Sequence, residues 1–109
     1  MPAITKEDVP KLPRADVELG GIEWLADQRL RLTVVIPDGK IAHLIGTFAR
    51  HLITDLHFDE RTGGRPLTWD ITYSELPGKG WHVLMDFAHK GAVEFDCSEL
   101  QFDYVTNTA

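Results

Sequence analysis

The chain is 109 residues long and 43% apolar, which suits one domain with an ordinary core and leaves no room for two. Seventeen acids against eleven bases give a net charge of −6. All of that excess lies in residues 51–109, where ten acids meet four bases, while the seven acids and seven bases of residues 1–50 cancel. An acidic surface repels phosphate backbones and anionic lipid, so direct nucleic-acid and membrane binding are both disfavoured.

Cys97 is the only cysteine. It cannot form an internal disulfide or a multi-cysteine zinc module, and a lone thiol suits a reducing compartment. The opening MPAITKEDVPKLPRADVELGG has no apolar signal-like core, and no apolar run reaches the length of a membrane-spanning helix. A cytoplasmic location is the expectation.

Residues 1–15 carry Pro2, Pro10 and Pro13 among charges, with Ile4, Val9 and Leu12 as the apolar positions, and read as an extended arm. Pro10-Lys11-Leu12-Pro13 also matches a PxxP pattern. Gly20-Gly21 punctuates the join to a folded domain over 16–105. Residues 22–25 follow as a helical turn or a strand, and 106–109 form a polar tail.

Arg29 to Ile36 alternates cleanly, with Leu30, Leu32, Val34 and Ile36 on one face. Pro37-Asp38-Gly39-Lys40 then supplies hairpin turn chemistry. The next stretch has two readings. Ile41, Leu44, Ile45, Phe48, Leu52 and Leu56 recur at helical spacing, so a helix over 41–52 is the alternative. Gly46, Thr47 and the preceding turn favour two strands joined near Ala49-Arg50, with Ala42, Leu44, Gly46 and Phe48 on one face.

Residues 61–66 read as a loop. Beyond it, Trp69/Ile71/Tyr73, Trp81/Val83/Met85/Phe87, Val93/Phe95/Cys97 and Leu100/Phe102/Tyr104 each alternate with polar residues. Leu76-Pro77-Gly78-Lys79-Gly80 and His89-Lys90-Gly91 separate them as turns. The aromatic residues of these segments are expected to point inward together. The fold class is therefore mainly β: a single antiparallel domain, a sandwich or strongly curled sheet of about six to seven strands.

No catalytic motif is present, whether HExxH, GxSxG or a phosphate loop, and no catalytic residue or cofactor is assigned. His51, His57, Asp59 and His82 are the weak candidates for a divalent-metal site, since imidazoles and carboxylates alternate near residues 51–59. The acids Asp55, Asp59, Asp70, Asp86, Glu94, Asp96 and Asp103 form the pool for a partner-binding face. Val35 and Leu84 interrupt otherwise polar faces, as an interface anchor or the floor beneath the arm would.

The segment LTWDITYSELPGKGWHVLMDFAHKGAVEFDCSELQFDYV, with its Trp81-x-Val83-x-Met85-x-Phe87 strand, glycine hairpin and Val93-Glu94-Phe95-Asp96-Cys97, resembles small β-rich bacterial immunity proteins of polymorphic toxin systems. That resemblance implies binding and blocking a cognate toxin, and it carries no catalytic residues with it. The expected function is a non-enzymatic immunity or inhibitor domain that presents an acidic sheet face to a protein with a basic surface. Self-association as a structural or accessory subunit is the first alternative. A small ligand- or metal-binding protein or enzyme using His and Asp groups is the second.

Overall fold

The computed structural model describes residues 3–56 and 67–105. These residues form two four-stranded antiparallel sheets. The first holds β1 (Glu18–Leu25), β2 (Arg29–Val35), β3 (Ile41–Thr47) and β8 (Glu99–Tyr104), in the order β1–β2–β3–β8. The second holds β4 (Arg50–Leu56), β5 (Asp70–Glu75), β6 (Trp81–Asp86) and β7 (Gly91–Cys97), in the order β4–β7–β6–β5. The sandwich predicted from the alternation is present, with eight strands where about six to seven were expected. The difference is partly β1, which begins before Gly20-Gly21 and runs through that pair, where the sequence reading placed a join followed by a helical turn or a strand over 22–25. A register shift between Leu19 and Gly21 makes a bulge, and a Cβ on Gly20 would stand only 3.3 Å from the Thr33 carbonyl oxygen.

Residues 41–52 are strands, so the helical alternative falls. The reason lies across the core. Ala42, Leu44 and Gly46 of β3 face inward, and a Cβ on Gly46 would come within 2.9 Å of the Phe95 ring and 3.1 Å of Cys97 Cβ. Phe48 does not join that inward row. It occupies the β3–β4 turn at φ 52 and is more than half exposed.

β3 and β4 pair with β8 and β7 as one long bent ribbon. The pairing runs from Ala42↔Tyr104 to Thr47↔Glu99 in the first sheet and resumes as Arg50↔Asp96 in the second. At the bend, the Ser98 N–H donates to the Thr47 carbonyl at 2.9 Å. The strand thus changes sheets at a corner without losing its partner. β2 and β1 extend the ribbon on one side, and β6 and β5 on the other.

The inward faces carry Leu30, Leu32, Val34, Ile71, Val83, Met85, Val93, Phe95, Cys97 and Leu100, all essentially inaccessible. Tyr73, Trp81, Phe87 and Phe102 are buried with them, as expected. Trp69 and Tyr104 are not, being 75% and 48% exposed. Trp69 lies in a bend before β5, where alternation no longer dictates direction, and Tyr104 ends β8.

The arm is fastened to the domain rather than trailing from it. A 3-10 turn spans Lys6–Lys11 behind a capping box between Thr5 and Asp8, so the segment is only partly extended. Ile4 and Leu12 are buried, and Leu12 is therefore not presented as a PxxP ligand. The Ile4 N–H donates to the Leu100 carbonyl at 2.8 Å, and the Tyr73 hydroxyl to the Pro13 carbonyl at 2.8 Å. Thr68, 2% exposed, receives the Val17 N–H on its hydroxyl at 3.0 Å and donates to the Arg14 carbonyl at 3.3 Å. Among the described residues no helix is long and apolar enough to cross a membrane.

Thr68→Val keeps the shape and removes the acceptor for a buried N–H. It is expected to lower unfolding free energy by about 1–3 kcal/mol in urea titration, while Thr68→Ser costs less. Burial pushes the Cys97 thiol up to about 12. The native protein is accordingly expected to resist a thiol-specific reagent and to react fully once unfolded in urea.

Candidate functional site

Register determines which side chains share the outer face of the second sheet. Ser74 of β5 lies opposite His82 of β6, which lies opposite Asp96 of β7, which lies opposite Arg50 of β4. The next row is Thr72, Leu84, Glu94 and Ile53, and the third is Asp70, Asp86, Ala92 and Asp55. Five of the seven predicted acids, Asp55, Asp70, Asp86, Glu94 and Asp96, therefore fall on one surface. Asp103 does not belong with them: it lies on β8 of the other sheet, opposite His43. Asp59 and His57 lie outside the described residues.

Two of these acids oppose each other directly, since Asp70 and Asp86 are cross-strand partners, a placement that costs energy for like charges. The arm relieves it. Arg14 donates from Nε and Nη2 to the two Asp70 oxygens at 3.2 and 3.4 Å, and Asp86 Oδ1 accepts the Ala88 N–H at 2.8 Å. Leu84 is half-buried and Ile53 is 53% exposed, so the middle row has an apolar floor between polar flanks. The arm's polar ties run to Leu100, Tyr73, Thr68 and Asp70.

The centre of the face is a chain of imidazoles and carboxylates. His51 Nδ1 donates to Asp96 Oδ2 at 2.9 Å, and His82 Nδ1 donates to Asp96 Oδ1 at 2.6 Å. The other nitrogen of His82, Nε2, stands 3.2 Å from Glu94 Oε2. His51 reaches Asp96 because β4 bulges there: the register shifts between Arg50 and Ile53, and His51 adopts φ 57. The hydrogen bonds from His51 and then from His82 hold the Asp96 carboxyl below the usual carboxylate range.

This arrangement bears on the metal candidates. His51 and His82 are brought together as neighbours of one carboxylate, but their Nδ1 atoms are spent on hydrogen bonds to it. Among the described residues no group of three or more His, Cys, Asp or Glu side chains is placed to hold a metal ion. It bears equally on nucleophilic catalysis. Ser74, His82 and Asp96 follow one another across three strands, and His82 Nε2 stands within 3.2 Å of Glu94 Oε2.

Two clefts lie away from this face. One of about 480 Å³ is lined by Ile4, Lys6, Glu75, Lys79, Trp81 and neighbours, between the arm and the β5–β6 turn. Another of about 440 Å³ lies beside Lys40, Ile41 and Tyr104. None of the acids of the outer face lines either one.

Fold and face together define an antiparallel β-sandwich with an acid-rich outer sheet surface. Comparison with protein-family models, with characterised proteins and with solved structures returns no match to this chain.

Asp96→Asn is expected to lower stability by about 1 kcal/mol near neutral pH, because it weakens two hydrogen bonds to a partly exposed carboxylate. The folded pKa of Asp96 lies below its ordinary 3.8, so its contribution is complete above that value and is lost as pH falls through the lower folded pKa. The gap between wild type and variant in urea titrations should therefore close only in strong acid.

Proposed function

We propose that this chain is a non-enzymatic protein-binding domain, of the immunity or inhibitor kind, which docks the outer face of the second sheet onto a basic surface of another protein. The observation that supports this most is the company kept by the acids. Asp70, Asp86, Glu94 and Asp96 share one face with the apolar pair Leu84 and Ile53. Carboxylates of one sign steer and select a basic partner, and a small apolar patch among them gives the contact something to exclude water with.

The test is capture of a partner from the lysate of the native host by immobilised wild type, by Asp86→Lys/Glu94→Lys, and by Asp103→Lys. The expected outcome is one basic protein held by wild type and by Asp103→Lys, released by raised salt, and weakened at least tenfold by the double reversal. Equal retention by the double-reversal variant, with its fold intact by circular dichroism, overturns the proposal.

A further inference from the structure

β5 breaks its own pattern at its last residue. Ile71 and Tyr73 are buried in the core, and Glu75 takes the next position of the same row. Its cross-strand partner is Trp81, which is buried. A carboxylate therefore stands, exposed, where alternation calls for an apolar side chain at the mouth of the core. Departures from local pattern of this kind mark places where something other than packing sets the residue.

That mouth opens into the cleft of about 480 Å³ between the arm and the β5–β6 turn. Lys6 lines it from the arm, Lys79 from the turn, Glu75 from β5 and Glu99 from β8, and all four are exposed. Among the described residues none of the four enters an ion pair, so opposite charges share one cleft without closing on each other. A second, more apolar space of about 350 Å³ shares Lys6, Glu75 and Trp81 with the first and is completed by Val9, Pro10 and Tyr73.

The walls are already in place. The arm is held by the Ile4 N–H on the Leu100 carbonyl and by the Tyr73 hydroxyl on the Pro13 carbonyl. The turn is closed by the Leu76 N–H on the Gly80 carbonyl at 3.0 Å. Gly80 takes φ 123, and a Cβ there would stand 2.5 Å from the Cys97 carbonyl oxygen, so glycine is what lets the turn settle against β7.

We propose that this cleft is a binding site for a short peptide with free ends and one bulky apolar side chain. Lys6 and Lys79 receive its carboxylate, Glu75 and Glu99 its ammonium, and its side chain enters the apolar space against Val9, Pro10 and Tyr73. A ligand of one sign would satisfy half of the wall and be repelled by the other half, whereas a zwitterion suits both. The volume suits a small ligand of this kind. None of the carboxylates of the outer sheet face lines the cleft, so this site goes beyond the partner-binding reading and does not depend on it.

The experiment titrates 15N-labelled protein with the tripeptide Ala-Phe-Ala up to about 10 mM, following the Trp81 indole N–H and the backbone amides of Lys79 and Gly80. Saturable shifts are expected at these positions, with the N-acetylated, C-amidated tripeptide binding at least about tenfold more weakly. Lys79→Glu and Glu75→Lys alter exposed side chains, so both should keep the dispersed wild-type spectrum, and each should weaken the free tripeptide severalfold. Glu94→Lys, on the outer face, should leave it unchanged. The proposal is overturned if no saturable shift appears, if the capped peptide binds as well as the free one, or if neither cleft variant weakens binding. Weakening by Glu94→Lys overturns it too, because it puts the peptide on the acid-rich face. Absence of tripeptide binding leaves the partner-binding reading standing, and failure to capture a basic protein leaves this cleft standing.

Discussion

The bent ribbon of β3–β4 paired with β7–β8 is the constraint on which the rest of the sandwich depends, and it closes only because Gly46 has no side chain. Phe95 and Cys97 occupy the volume a Cβ would need, so the two sheets come together at the point where the chain crosses between them. Close packing of this kind tolerates little added volume, since displaced atoms must move backbone as well as side chains. Each half-sheet is then completed by strands that pair with the ribbon, β2 and β1 on one side, β6 and β5 on the other.

The same corner builds the candidate site. Bending β4 away from the first sheet needs two residues at positive φ, Phe48 and His51, and the second of these turns an imidazole onto Asp96. Backbone conformation unfavourable to a side chain is thus kept where it places a titratable group against its partner. Asp96 is in turn positioned by β6, whose own histidine lies directly opposite. Structure and charge meet in three strands, with Cys97 and Phe95 packed beneath.

Much of this was written in the sequence because strands with one buried face must alternate. Leu30, Leu32 and Val34, or Val93, Phe95 and Cys97, declare their inward face with no other information. Turn chemistry declared the hairpins at Gly39, Gly80 and Gly91, each of which takes a positive φ. The hairpin at Ala88–Lys90 even determines that His82 meets Asp96, once Asp86 is paired with Ala92. The helical spacing over 41–52 misled as an alternative because both periods fit a short apolar run, and the contact that decides, Gly46 on Phe95, spans half the chain. Neither bulge was legible: nothing in Leu19-Gly20-Gly21 or Arg50-His51-Leu52 states where an additional residue will be accommodated. Asp103 was grouped with the other acids because sequence alternation assigns a face within a strand and says nothing of which sheet the strand joins.

The two bulges have a further consequence for how this sandwich avoids joining others by strand addition. β1 and β4 are edge strands, and each is broken in register, at Gly20 and at His51. A bulged edge twists away from the flat, in-register row of donors and acceptors that an incoming strand requires. The third edge, β8, already receives the Ile4 N–H, and the fourth, β5, shows exposed Thr72, Ser74 and Glu75. Edges broken, paired or lined with polar side chains in this way offer an incoming strand a poor template.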